Sequence, residues 1–163
     1  MPTSMQLPII DFAAHDAPQA FCASLHETGF GVLRNHPLDQ SLVEGTYAEW
    51  LAFFQQDTKH AYVHDPEKHD GYFSPAVSEI AKNHTRRDIK EFFHIYPWGR
   101  YPKEVSGAAL RYYQHGSTLA ATLLNWVEEH SPAEVKARYS VPLPSMLDGS
   151  SHTLLPQNPA CRC

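Results

Sequence analysis

Two stretches of 3.6-residue apolar periodicity flank a long aperiodic middle, and that arrangement limits this chain of 163 residues more than any other feature. In the first stretch Leu42, Val43, Thr46, Tyr47, Trp50, Leu51 and Phe54 fall on one stripe behind the cap candidate Asp39. This predicts a helix over residues 40 to 56 with the stripe buried. In the second, from about Ala108 to His130, Leu110, Tyr113, Leu119, Leu123 and Val127 point toward a core, and Leu124 and Trp126 broaden that face. Between them, from Asp57 to Arg87, periodicity fails, and His, Asp, Pro, Gly and Lys surround one aromatic island, Gly71-Tyr72-Phe73. So long a stretch without clear elements reads as a functional or mobile loop.

The remaining signals are short. Pro8-Ile9-Ile10-Asp11 has the form of an edge strand opened by proline. A helix over about 17 to 28 follows: Asp16 caps it, Pro18 lies just inside, Phe21, Ser24, Leu25 and Thr28 recur along it, and Gly29 ends it. Phe30 to Asn35 is a second strand, closed by a turn at His36-Pro37 that His36 fixes by hydrogen bonding. Ile89 to Tyr96 is a third, apolar on Ile89, Phe93 and Ile95 and ended by Pro97. Ser131-Pro132-Ala133-Glu134 has capping-box form and predicts a last helix to about Tyr139. Val141-Pro142-Leu143-Pro144 and the Gly/Ser run at 149 to 151 read as loop. The fold class expected is α+β, mainly helical with a few short strands.

A hydrophobic content of 42% with 12% aromatic residues supplies a real core for one domain. With 13 Lys and Arg against 18 Asp and Glu, and a net charge of −5, the chain lacks the footprint that nucleic acid or an anionic membrane selects. No apolar window reaches the length of a membrane span, and Met1 to Gln6 lack the pattern of a signal peptide, so a soluble cytoplasmic protein is expected. Cys22, Cys161 and Cys163 are too few and too unevenly placed for a disulfide framework, and their thiols should be reduced.

Tests for chemistry return little. His60, His64 and His69 would meet a zinc ion if residues 59 to 65 were helical. Against this, Asp57, Asp65, Pro66 and Asp70 give the segment the character of a solvated loop whose histidines face water. A mononuclear iron oxygenase needs a histidine and a carboxylate two apart plus a distant second histidine, and the chain has no His-x-Asp and no His-x-Glu. Gly29-x-Gly31 lacks the third glycine of a dinucleotide loop, and there is no phosphate loop, Cys-x-x-Cys or Gly-x-Ser-x-Gly elbow. Cys161-Arg162-Cys163 is a poor chelate, and Glu128-Glu129 and Arg86-Arg87 read as solvated faces. No catalytic, cofactor-binding or metal-ligating residue is assigned.

Several phrases nonetheless resemble one family, the isopenicillin N synthase-like iron(II)/2-oxoglutarate oxygenases, in its N-terminal region. Pro8-Ile9-Ile10-Asp11 resembles the family's opening strand, and Gly29-Phe30-Gly31-Val32-Leu33-Arg34-Asn35-His36-Pro37 its Gly-Phe-x-x-(aliphatic)-x-Asn-His-(Gly/Pro) signature. Phe53-Phe54 with Lys59, then Gly71-Tyr72, then Asp88-x-Lys90-Glu91-x-Phe93 follow in the family's order, and the likeness covers about residues 7 to 152. The resemblance implies helices and a few strands packed outside a double-stranded β-helix that holds iron. It further implies Fe(II) and 2-oxoglutarate as cofactors of the intact enzyme, and oxidation of a small organic substrate coupled to decarboxylation of 2-oxoglutarate. The family's iron triad and Arg-x-Ser have no counterpart here, since Arg138-Tyr139-Ser140 precedes any such triad and matches in letters only.

Met146 to Leu154 is similar to the family's approach to its first core strand, after which the sequence departs. Codons for Leu155 to Cys161 read one base later permit an Arg-(Lys or Arg)-(Ile or Thr)-Leu-His string. The expectation is a dioxygenase N-terminal-like domain over residues 1–154 and an irregular tail at 155–163 produced by a shifted frame or truncation near Leu155. The chain would lack most of the barrel, need no cofactor of its own and be inactive alone. Two alternatives stand beside this: a non-catalytic protein-binding module, self-associating through apolar surface left bare on the helix at 40 to 56, the strand at 89 to 96 and the long helix, and a small zinc protein using His60, His64 and His69.

Overall fold

The structure, a computed structural model, describes residues 6–77, 85 and 90–147. The chain forms two compact units, one from the described residues up to Asp39 and from Tyr112 onward, the other from Gln40–Arg111.

In the first unit β1 (Ile9–Asp11) and β2 (Val32–Arg34) run parallel, with Ile9 opposite Val32, Ile10 opposite Leu33 and Asp11 opposite Arg34. A parallel pair needs a crossover, supplied by α1 (Ala17–Thr28). Alternation sends Ile10 and Leu33 inward, where they meet Ala17 and Phe21 of α1 and Leu123, Trp126 and Val127 of α3 (Ala108–His130). The Trp126 ring lies 5.0 Å from Phe12 and 5.9 Å from Phe21. Gly29 ends α1 in the left-handed conformation (φ 77°), its N–H donating to the Leu25 carbonyl, as the sequence predicts. Gly31 is required by packing, because a Cβ there would overlap the Phe21 ring.

In the second unit α2 (Gln40–Phe54) is followed by a 3₁₀ helix (Asp57–Tyr62), β3 (Gly71–Phe73), a 3₁₀ turn (Pro75–Val77) and β4 (Phe92–His94). β3 and β4 are antiparallel, with Tyr72 opposite Phe93. Phe53 is fully buried, with Trp50 5.3 Å, Phe93 5.9 Å and Tyr62 6.1 Å away between ring centroids. Past α3, α4 (Ala133–Lys136) and a 3₁₀ turn (Leu143–Leu147) complete the described chain.

Several expectations are corrected. The stretch from 57 contains short elements where periodicity offered none, because three-residue strands are too short to show a period. On α2 the predicted stripe is covered in part: Leu42, Val43, Thr46, Trp50 and Phe54 are half-buried, but Tyr47 and Leu51 are exposed and the fully buried residue is Phe53, which the stripe left out. On α3 Leu119 is buried and Leu123, Trp126 and Val127 reach the core, but Leu110 and Tyr113 are exposed. Asp16 sits at the N-cap of α1 without a side-chain cap bond, its ψ of 8° being outside the extended region a capping side chain uses. Ser131 closes α3 instead of opening α4: its Oγ donates to the Val127 carbonyl at 2.7 Å, and Pro132 takes the N-cap. Glu128 is half-buried and accepts the Leu143 N–H at 2.7 Å, so it is no solvated face, and residues 143–147 are a 3₁₀ turn in place of loop. The turn after β2 is held by Asn35, left-handed at φ 55° with its Nδ2 donating to Asp11 at 2.9 Å, while His36 Nδ1 is buried with no hydrogen-bond partner among the described residues. Ile89, Arg86-Arg87, the tail at 155–163 with Cys161 and Cys163, and most of the expected approach to a core strand lie outside the described residues.

Candidate functional site

The residues that carry chemistry in the second unit gather around β3 and β4. Lys59, on the 3₁₀ helix after α2, donates from Nζ to the Phe54 carbonyl at 2.5 Å and to Glu91 Oε2 at 2.8 Å. Tyr72, central in β3, donates its hydroxyl to the same Glu91 oxygen at 2.5 Å. Glu91, just before β4, thus receives two donors on one oxygen. Hydrogen bonding by Lys59 first, then by Tyr72, holds its carboxyl below the usual range. The Glu91 bond holds the Lys59 ammonium above its ordinary value, and burial, followed by the Glu91 bond, raises the Tyr72 phenol. Three letters scattered through the sequence signature therefore form one node, whose geometry joins α2, β3 and β4.

The second node is an ion pair on Asp70, a residue that the sequence reading placed in a solvated loop. The Asp70 side chain has no exposed surface, while that of Arg100 is 35% exposed. Arg100 donates from its main-chain N–H and from Nε and Nη2 to the carboxylate, with Nη2 2.9 Å from Oδ1, and Nη2 also donates to the Val63 carbonyl at 2.7 Å. These bonds hold the Asp70 carboxyl well below its ordinary value. Each partner stands beside a glycine that its packing demands. Gly71 has φ 102°, and a Cβ on it would strike the Tyr62 carbonyl; one on Gly99 would come within 2.8 Å of Asp70 Cβ. The pairs Asp70-Gly71 and Gly99-Arg100, a charge beside a glycine with opposite signs, are the signal available in the sequence.

The three zinc candidates do not converge. His60 is exposed with its ring edge-on to Tyr72 at 5.6 Å, whereas His64 and His69 are 6.2 Å apart between ring centroids. The third imidazole near that pair is His94, whose Nδ1 lies 3.3 Å from the His69 carbonyl. His64 packs at 4.1 Å on Phe73, and burial, with His69 and His94 adding to it, lowers its pKa. Among the described residues no group of three or more His, Cys, Asp or Glu is placed to hold a metal ion, so iron does not fit them. The two nodes tie β3 to the segments around it by charged hydrogen bonds. No helix of the described residues is long and apolar enough to cross a membrane.

The sequence model of a family described as non-haem dioxygenase in morphine synthesis N-terminal matches residues 7–127. Among solved structures the chain is similar to a candidate oxygenase from Shewanella oneidensis at 47% identity and a TM-score of 0.78, covering 87% of this chain and 49% of that one. It shares its fold with a full-length Neurospora crassa protein solved in complex with alpha-KG, at 19% identity and a TM-score of 0.56, covering 74% of this chain and 46% of that one. This chain thus spans about half the length of both. No curated protein matches it.

Proposed function

Because the chain belongs to the non-haem dioxygenase N-terminal family, we propose that it is the N-terminal part of a cytoplasmic iron(II)/2-oxoglutarate-dependent oxygenase of small organic substrates. In this reading residues 1–163 carry no oxygenase activity by themselves. The observation that carries the reading is the alignment of 87% of this chain with 49% of an oxygenase at 47% identity. The absence of any His-x-Asp or His-x-Glu supports the second clause, since the facial triad of such enzymes draws on that spacing.

In an intact enzyme iron(II) and 2-oxoglutarate supply the oxidising chemistry. The residues of this chain contribute framework: Lys59, Tyr72 and Glu91 tie α2 to the β3–β4 pair, and Asp70 with Arg100 fixes the approach to β3. Calorimetry of the purified chain with iron(II) and 2-oxoglutarate, under anaerobic conditions and beside elemental analysis, tests the reading. No heat of binding and sub-stoichiometric iron are expected. Tight one-to-one binding of both would refute the inactivity and make dispersed histidines such as His60, His64 or His94 its ligands.

A further inference from the structure

Three imidazoles from separate stretches of the second unit meet beside the β3–β4 pair. His64, just before the turn at 65–70, packs on Phe73 with ring centroids 4.1 Å apart, and His94 of β4 rests on the same ring at 4.5 Å. His69 closes the turn in the left-handed conformation (φ 58°), with its ring 6.2 Å from His64 and its carbonyl 3.3 Å from His94 Nδ1. A residue with a Cβ keeps that conformation only where its surroundings hold it. Main-chain bonds hold this one: the His64 N–H donates to the Tyr72 carbonyl at 2.9 Å, that of Asp65 to Asp70 at 3.0 Å and that of His69 to Asp65 at 2.7 Å.

The nearby carboxylates that could neutralise a protonated cluster are already engaged. Asp70 is buried on Arg100, and Asp65 accepts the N–H groups of Glu67 and Lys68 and lies 3.9 Å from Lys68 Nζ. Glu91, before β4, is bonded by Lys59 and Tyr72. Lys90, with Nζ 5.9 Å from the centre of the Phe92 ring, adds positive charge on the β4 side, as Lys68 and Arg100 do beside the turn. Two cations 6.2 Å apart disfavour one another by about threefold in the dielectric of water and about a hundredfold in that of a protein surface. We propose that His64, His69 and His94 form an acid-sensitive latch: neutral, they pack the 65–70 turn against β3 and β4, and protonated together they release it. The sign agrees with the environment of His64, whose imidazole is held below its ordinary value by burial first, then by His69 and His94. Its contribution to stability is complete above the ordinary value of about 6.5 and is lost as pH falls through the lower folded one. No metal or cosubstrate enters this inference, so it stands apart from the functional reading above.

The test is amide hydrogen exchange of the full chain at about pH 7.5 and about pH 5.5, corrected for the intrinsic rate at each pH; imidazoles are the side chains that titrate in this window. The amides of His64, Asp65 and His69 should open about tenfold more often at the lower pH, and that of Phe12, bonded to the Arg34 carbonyl in the other unit, should not change. In the triple variant His64→Gln, His69→Asn, His94→Asn the response should vanish; asparagine tolerates the left-handed region at 69 and keeps a donor near the place of His94 Nδ1. In His60→Gln, which removes an exposed imidazole set against Tyr72, it should persist. Imidazole NMR titration of the native chain, which needs no variant, should show the His64 curve broadened to a Hill slope below one by coupling to its neighbours. Opening that ignores pH, a response that survives the triple variant or disappears in His60→Gln, or three simple independent titrations would overturn the proposal.

Discussion

Removing either member of the Asp70–Arg100 pair should destabilise the second unit, but not equally. In Arg100→Ala the carboxylate stays where it has no exposed surface, keeping only the main-chain N–H of residue 100. An uncompensated buried charge of this kind costs about 3–5 kcal/mol. In Asp70→Ala the orphan is a guanidinium already 35% exposed, which can turn to water while Nη2 keeps the Val63 carbonyl, so the loss should be about 1–3 kcal/mol. The double variant should cost less than the sum, because removing both charges leaves none unpaired. Urea denaturation followed by tryptophan fluorescence, with Trp50 and Trp98 reporting on this unit, measures all three.

The pH dependence separates the variants further. In the native chain Asp70 has a folded pKa depressed by Arg100. Its contribution is thus complete above the unfolded value of about 3.9 and is lost as pH falls through the folded one. In Arg100→Ala burial dominates and the folded pKa rises above the unfolded one. Stability held by the protonated form is then present below about pH 4 and lost as pH rises through that higher value. The deficit of Arg100→Ala relative to the native chain should accordingly shrink from neutral pH toward pH 4. Equal costs for the two single variants, strict additivity, or a deficit that widens on acidification would refute the reasoning.

Two further outcomes follow from packing. Phe53→Ala should cost about 3–5 kcal/mol in the same denaturation assay, because a fully buried ring surrounded by Trp50, Tyr62 and Phe93 leaves a cavity its neighbours cannot close. Gly31→Ala should lose about 1–3 kcal/mol by forcing the Phe21 ring aside, whereas Gly45→Ala, inside α2 with nothing within 4 Å of its added Cβ, should gain about 0.5–1 kcal/mol; thermal unfolding of the pair shows the opposite signs.

Legibility follows the range of the forces involved. Helix α1 is readable to its ends, since Pro18, the three-to-four spacing and Gly29 act within one turn of the residues they govern. The presence of α2 and α3 is also plain, but the face each buries is not. Tyr47 and Leu51 share the periodicity of Trp50 yet are exposed, while Phe53 is buried. Periodicity tells that a helix is amphipathic, and the partner decides how it is rotated. For the candidate site, the signature letters Lys59, Tyr72 and Glu91 are visible, and their meeting on one oxygen is not. Asp70 reads wrongly from sequence, because an isolated Asp among polar neighbours looks solvated until Arg100, thirty residues later, is folded onto it.

By itself, then, the sequence determined what depends on neighbours along the chain: the α+β class, the ends of α1, the left-handed glycine after it, the short strands around Ile9 and Val32 and the absence of a His-x-carboxylate pair. The tertiary structure alone decided the pairing of three-residue strands, the burial of Asp70 and the bare outer face of β1 and β2. Those depend on contacts between residues distant in sequence, where desolvation and close packing set the energy and local propensity is silent.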